Sequence, residues 1–241
     1  MNIIITNDDG IHAEGIRILA QWAKRLGHVT IVAPKTEQSG KSHGIELHQP
    51  FEAKRVDPGY GVDAYSVDST PADCIRYARL GMHLPCDLVL SGINRGLNIG
   101  VDINYSGTVG AVFEASALGV KGVSVSTGFN SFDAAAANLD RVADFFLRHD
   151  LLGKGSLFNV NIPETVTGDI RITHQGGPYY SDSFRHEGNN MYMPIGHCVY
   201  ENRNDLTLDS DAVMAGYISI SPLTIDRTDR AVFQQLTGLN G

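Results

Sequence analysis

The sequence predicts an α/β fold: a mostly parallel β-sheet flanked by helices, with a β-hairpin extension and a terminal helix toward the C-terminus. Three observations carry this expectation. Short apolar, β-branched runs such as Ile3-Ile4-Ile5 stop abruptly at turn residues, which is the pattern of strands buried on both faces. Segments of helical periodicity follow these runs, so that strand and helix alternate through a core of about residues 1–165. Beyond it, Asp169 to Asn204 is rich in Gly, Tyr, Asn and His with little helical period, and reads as a hairpin.

The elements follow in order. After the first strand, Glu14 to Leu26 places Ile16, Leu19, Ala20, Ala23 and Leu26 on one face, and Gly27 stops the helix. His28 to Val32 is the second strand, completing a right-handed β-α-β unit. The polar loop Ala33 to Gly44 contains Ser39-Gly40-Lys41-Ser42, but a phosphate-binding P-loop needs glycine where Lys35 stands. The residues alone make this a solvated loop.

Ile45 to Val67 reads as strands broken by Pro50 and by the turn Asp57-Pro58-Gly59. In Ser69-Thr70-Pro71-Ala72-Asp73 a hydroxyl caps, a proline takes the first turn and an acid meets the helix dipole; the helix runs to about Leu80. Asp87 to Leu90 is a strand, followed by a loop, Ser91 to Gly100, whose glycines at 92, 96 and 100 do not match the dinucleotide-binding fingerprint. Tyr105-Ser106-Gly107-Thr108 opens a helix, Val109 to Leu118. Lys121 to Ser126 is a strand, Phe132 to His149 a helix and Leu157 to Ile162 a strand. A short helix (Asp209 to Ala215), a strand (Gly216 to Pro222) and a terminal helix (Asp229 to Leu236) complete the chain, read as a single domain over residues 1–241.

Composition narrows the function. Apolar residues make up 42% of the 241 and charged ones 19%, enough for a core and too few charges for a disordered chain. A net charge of -8 argues against a nucleic-acid partner, although a metal ion can still bring phosphate to an acidic protein. Cys74, Cys86 and Cys198 form no zinc spacing and read as free thiols of a reducing compartment. With no signal peptide and no apolar run of membrane-spanning length, the expectation is a soluble, cytoplasmic protein without a membrane partner.

Candidate chemistry sits in three loops that leave the same edge of a parallel sheet: Asn7-Asp8-Asp9-Gly10, Ser39-Gly40, and the region from Asn94 to Thr108. Two carboxylates, a hydroxyl and an amide oxygen form an all-oxygen donor set, which suits Mg²⁺ or Mn²⁺ and suits zinc poorly. Adjacent acids without a basic partner repel, and a cation relieves that cost. On the residues alone Asn7 to Gly10 is equally a turn with a helix cap, and Ser106-Gly107-Thr108 is either an ordinary N-cap or an anion site. His12 and His43 are near enough in sequence to be weighed as proton donors, with a surface or structural role favoured for both.

Set together, these motifs closely resemble the SurE survival-protein family of metal-dependent nucleotidases. The matching residues are Ile4 to Ile11, Ala33-Pro34 with Ser39-Gly40, Ser69 to Cys74, Ser91 to Gly100, Tyr105 to Ala111, and Gly216 to Leu223 with Asp226. The resemblance implies one divalent cation per subunit, Mg²⁺ or Mn²⁺, ligated by Asp8, Asp9, Ser39 and Asn94. It implies a phosphate pocket at Gly40, Asn98, Ser106, Gly107 and Thr108, and hydrolysis of nucleoside 5′- and 3′-monophosphates, with short polyphosphate as a further substrate. It also implies a Rossmann-like core and a homodimer or homotetramer that exchanges its C-terminal segment (about 166–241). In such a site Asp8 would additionally orient or deprotonate the attacking water.

Three other classes fit less well. A phosphoacceptor receiver domain is about half this length and needs its aspartate at a strand end, whereas Asp57 precedes Pro58 in a turn. A haloacid-dehalogenase-type phosphatase spaces its acids two apart, and Asp8 and Asp9 are adjacent. A non-catalytic nucleotide-binding protein would keep the loops and show binding without turnover.

Overall fold

A computed structural model describes residues 1–239. Its centre is β1 (Asn2–Thr6), with both faces covered. Ile3 and Ile5 point into one apolar layer and Ile4 into the other, as the two-residue period of a strand requires. On the first face lie α1 (Glu14–Ala23), through Ile16 and Leu19, and a later helix, through Leu139, Val142 and Phe146. On the second lie two helices contributing Ile75, Val109 and Val112.

The chain leaves β1 through α1 to β2 (His28–Pro34), then forms β3 (Ala53–Val56) and β4 (Asp63–Val67). Thr70 caps α2 (Pro71–Arg76), its hydroxyl accepting from the Asp73 amide at 3.1 Å, and α2 runs into a widened turn over Tyr77–Gly81. The chain then crosses to the other side of β1 to form β5 (Leu88–Arg95), a short 3₁₀ turn (Gly100–Tyr105) and α3 (Gly107–Ala117). There follow β6 (Lys121–Thr127), α4 (Asp133–Arg148), α5 (Leu151–Lys154), β7 (Leu157–Ile162) and β8 (Ile170–Ile172).

The nine-stranded sheet has the order β3-β4-β2-β1-β5-β6-β7-β11-β8, where β11 is Ile218–Pro222. Pairing is parallel except at β3–β4 and β7–β11, so the expected mostly parallel sheet flanked by helices is present. Residues beyond 165 are not all appended to this sheet: β8 and β11 are two of its strands, and α6 (Asp209–Met214) packs beside β11. The extension proper is an antiparallel hairpin of β9 (Tyr180–Gly188) and β10 (Met191–Cys198). Its turn residues Asn189 and Asn190 both have positive φ, the conformation that matches strand twist in a two-residue hairpin. The terminal helix α7 (Arg230–Leu236) is capped by Asp229.

One expectation shifts. The loop read as starting at Ser91 is instead the continuation of β5, which runs past a register shift between Gly92 and Asn94 to Arg95. A glycine at a bulge lets the strand go on where the residue pattern suggests a loop. Asn94 is therefore carried on sheet backbone rather than on a free loop.

α1 is seated against this stretch through Gly15, where a Cβ would lie 1.9 Å from the Ile93 carbonyl oxygen. In an unconstrained helix Gly→Ala stabilises by up to about 1 kcal/mol, but overpacking against backbone costs about 1–3 kcal/mol. Gly15→Ala is expected to lower the urea unfolding midpoint; a raised midpoint would contradict this packing.

Candidate active site

The order of strands puts the site where open α/β sheets bind ligands. The chain goes from β1 to β2 on one side and later to β5 on the other, so the carboxyl ends of β1 and β5 border the crevice where the strand order reverses. Asp8 and Asp9 leave β1 there, and Asn94 lies near the end of β5.

Asp8 is 4% exposed. Its carboxylate accepts a hydrogen bond from the Thr108 hydroxyl at the start of α3. Its backbone oxygen accepts from the Gln38 amide at 2.7 Å, which anchors the loop carrying Ser39 and Gly40. The half-buried Asp9 accepts from the Arg95 amide at 3.3 Å, beside Asn94. Burial raises the Asp8 carboxyl above its ordinary range, against the lowering effect of the Thr108 hydroxyl. Burial and then repulsion from Asp8 push Asp9 up to about 6.

Helix α3 approaches the acids because it begins with small residues. Ser106 caps it, accepting from the Val109 amide at 3.1 Å. At Gly107 a Cβ would stand 3.0 Å from the Asp8 Cβ, and at Gly110 one would stand 2.2 Å from the Ser42 carbonyl oxygen. Gly107, Gly110 and Glu114 follow a spacing of three and four, so they share one helix face. That face is turned to Asp8 and to the loop after β2.

The other expected residues take varied positions. The exposed Ser39 donates its hydroxyl to Glu37 Oε1 at 2.7 Å, which leaves its oxygen lone pairs free to accept or ligate. Gly40 has φ +71 and open space around its α-carbon. Asn94 Nδ2 donates to the Gly96 carbonyl at 2.8 Å, which orients its Oδ1 as the group left to bind a ligand. Asn98 is buried and strongly held: its backbone amide donates to Asn161 Oδ1 at 2.8 Å and its Nδ2 to Ser126 Oγ at 2.8 Å. Its carbonyl accepts from Asn159 Nδ2 at 2.7 Å and Asn161 Nδ2 at 2.9 Å. His12 is exposed, and His43 Nε2 is 2.7 Å from Glu114 Oε2.

The donor set suits a hard cation on two observations. Among the described residues neither Asp8 nor Asp9 has a side-chain ion pair, and the more distant charge of Arg95 does not offset burial and mutual repulsion at Asp9. The Oδ1 of Asn7, next in the chain, is buried without a hydrogen-bond partner. Among the described residues no three His, Cys, Asp or Glu side chains gather into a metal-binding group. A cation at this edge would therefore add the neutral oxygens of Ser39 and Asn94 to the two carboxylates.

Several residues that build the site escape motif reading. Asn159 and Asn161 alternate with Phe158 and Val160 along β7, and amides on one face of a buried strand are a readable sign of a polar network. Asp209, fully buried, ties Gly100 to Gly176 by accepting from their amides at 2.9 Å and 2.8 Å, and so joins the Asn98 loop to the hairpin root. Glu114 lies in an alanine-rich helix, where its partner on a distant loop leaves no local trace.

Comparison with known proteins agrees with this architecture. The family described as Survival protein SurE matches residues 3–182. A protein of Legionella pneumophila (strain Philadelphia 1) named 5′-nucleotidase SurE is 36% identical, over 99% of this chain and 97% of that protein. One of the same name from Syntrophotalea carbinolica is 37% identical, over 98% and 96%. The crystal structure of Sure protein from Aquifex aeolicus superposes with a TM-score of 0.78 at 30% identity, covering the whole of both chains. A family match over most of the sequence, with relatives more than a third identical end to end, leaves one conclusion: this chain belongs to the SurE survival-protein family.

Proposed function

We propose that this protein is a 5′-nucleotidase that hydrolyses nucleoside monophosphates to nucleoside and phosphate, and that it does so with a divalent cation held by Asp8, Asp9, Ser39 and Asn94. The observation that carries the reading is the pair of crowded carboxylates set against the start of α3. The relatives' name, 5′-nucleotidase SurE, supports the substrate class. Nucleoside 3′-monophosphates and short polyphosphate are included in the proposal, with Mg²⁺ or Mn²⁺ as the cation, one per subunit.

The chemistry a bound divalent cation supplies is neutralisation of charge on the phosphoryl oxygens and acidification of a water. The chain does the rest. Thr108 holds one oxygen of Asp8, fixing the carboxylate that orients or deprotonates the attacking water. The first amides of α3, with Ser106, Gly107 and Thr108, receive phosphate oxygens at the positive end of the helix dipole. Gly107 lets the helix start lie close to the carboxylate pair, since a Cβ there would crowd Asp8. Asn98 braces the loop opposite through Ser126, Asn159 and Asn161, so the pocket wall is rigid before substrate arrives.

Outside the site, the proposal includes a cytoplasmic homodimer or homotetramer that exchanges its C-terminal segment. Supporting it are exposed apolar side chains on the hairpin (Phe184, Tyr192) and on α7 (Phe233, Leu236). No helix among the described residues is long and apolar enough to cross a membrane. Phosphate release from a panel of nucleoside 5′- and 3′-monophosphates, with Mn²⁺ or with chelator, tests the activity; binding without metal-dependent release would overturn it.

Three outcomes follow from the carboxylate pair. Asp9→Asn removes a ligand charge and should cut Mn²⁺-dependent turnover by at least about a hundredfold. The same change relieves burial and repulsion, so the metal-free melting temperature at pH 7.5 should stay level or rise; a fall would mean the pair is not strained in the fold. Because Asp9 is raised to about 6, a proton competes with the cation below that pH. Mn²⁺ affinity measured by titration calorimetry should therefore rise with pH through the range near 6, and a flat profile from pH 5 to 8 would contradict a raised Asp9 as a ligand.

A further inference from the structure

The segment that presents Ser39 has little to hold it in place. Residues 39–41 are exposed, and Gly40 has no neighbour at its would-be Cβ. Upstream, the Gln38 amide ties it to the Asp8 carbonyl and the Lys35 amide ties the start of the loop to the Val67 carbonyl. Downstream it is fastened to the 3₁₀ turn before α3 and to the start of α2. The Ser42 amide donates to the Tyr105 carbonyl at 3.0 Å and its hydroxyl to the Asn104 carbonyl at 2.6 Å. The Thr70 hydroxyl donates to the Gly44 carbonyl at 2.7 Å, and the Glu46 amide to Asp73 Oδ2 at 2.8 Å.

The remaining fastening differs in kind. His43 Nε2 donates to Glu114 Oε2 at 2.7 Å, and the Glu114 side chain is 7% exposed. Hydrogen bonds to an ionised acceptor are about twice as strong as neutral ones, and more so away from water. The other Glu114 oxygen meets Arg76 Nη1 at 3.3 Å, and Arg76 Nε lies 3.8 Å from Asp73 Oδ1. A line of alternating charge thus runs from α2 through α3 to the loop. Gly110 adds to this by letting the backbone at Ser42 and His43 press against α3.

We propose that His43 is a positioning residue: by bonding Glu114 it locks the Ser39–Gly44 loop onto α3, so that the Ser39 oxygen is presented to the Asp8–Asp9 edge. This rests on the reading of Ser39 as a metal ligand and extends it to a residue outside the ligand set. With its Nε2 committed to a buried carboxylate, His43 is not the proton donor to the leaving group.

The test compares the full-length protein with His43→Ala and His43→Gln, whose amide nitrogen replaces Nε2. Without metal, hydrogen–deuterium exchange over residues 38–46 should quicken at least about tenfold in His43→Ala, with the sheet unchanged. The Mn²⁺ dissociation constant by calorimetry should rise about tenfold, the scale typical of lost outer partners, while kcat at saturating Mn²⁺ stays within about threefold. His43→Gln should restore both readings. If His43→Ala does not fold, His43→Asn, too short to reach Glu114, should give the same shifts. Unchanged exchange and Mn²⁺ affinity, or a His43→Gln as impaired as His43→Ala, would overturn the positioning role alone. Absence of Mn²⁺ binding by the parent protein would overturn the metal reading, and this inference with it.

Discussion

Two carboxylates that repel each other, held side by side where the fold excludes much of the water, are the constraint around which this molecule is arranged. β1 delivers them from the middle of the sheet, with Ile3, Ile4 and Ile5 sealing both faces beneath. Thr108, the Arg95 amide and the backbone oxygen bonded by Gln38 fix their positions without neutralising their charge. Holding charge in that state costs stability, which the large core supplies, and a bound cation would relieve that cost.

Topology places the proposed site at this edge. At the β1–β5 boundary the connections diverge, opening a crevice for a helix start. Helix α3 fills it, and small residues along one face decide how closely. Gly107 admits Asp8, and Gly110 admits the loop after β2. Where that face next offers a side chain, Glu114, it takes hold of His43 from the same loop. One helix face therefore touches the anionic pair, the loop bearing Ser39 and, through Arg76, the helix behind it. Substrate phosphate, in the proposed reaction, would meet the end of this helix, where backbone dipoles favour negative charge.

Much of this was legible in the residues. Leu157 to Ile162 coincides with β7, because a fully buried strand leaves a short continuous run with clear ends. Thr70-Pro71 marked the start of α2, since capping is local chemistry. Gly107 and Thr108 do meet Asp8 at the edge that strand polarity indicates. What was not legible depends on distance in sequence. The residue pattern puts Asn94 on a loop because Gly92 looks like a strand end, yet pairing with β6 carries β5 onward. The insertion of β11 between β7 and β8 is decided by packing of α6 and the sheet, which no local pattern encodes. The roles of Glu114 and Asp209 are visible only once their distant partners are in place.

The site proposed here makes the four oxygen donors act as one coordination shell, and a crystal soaked in Mn²⁺ tests that most directly. An anomalous difference peak should stand within coordination distance of oxygens from Asp8, Asp9, Ser39 and Asn94, with the Ser39 hydroxyl turned away from Glu37. A map with no peak between the ends of β1 and β5, or with Mn²⁺ bound elsewhere on the protein, would contradict the account.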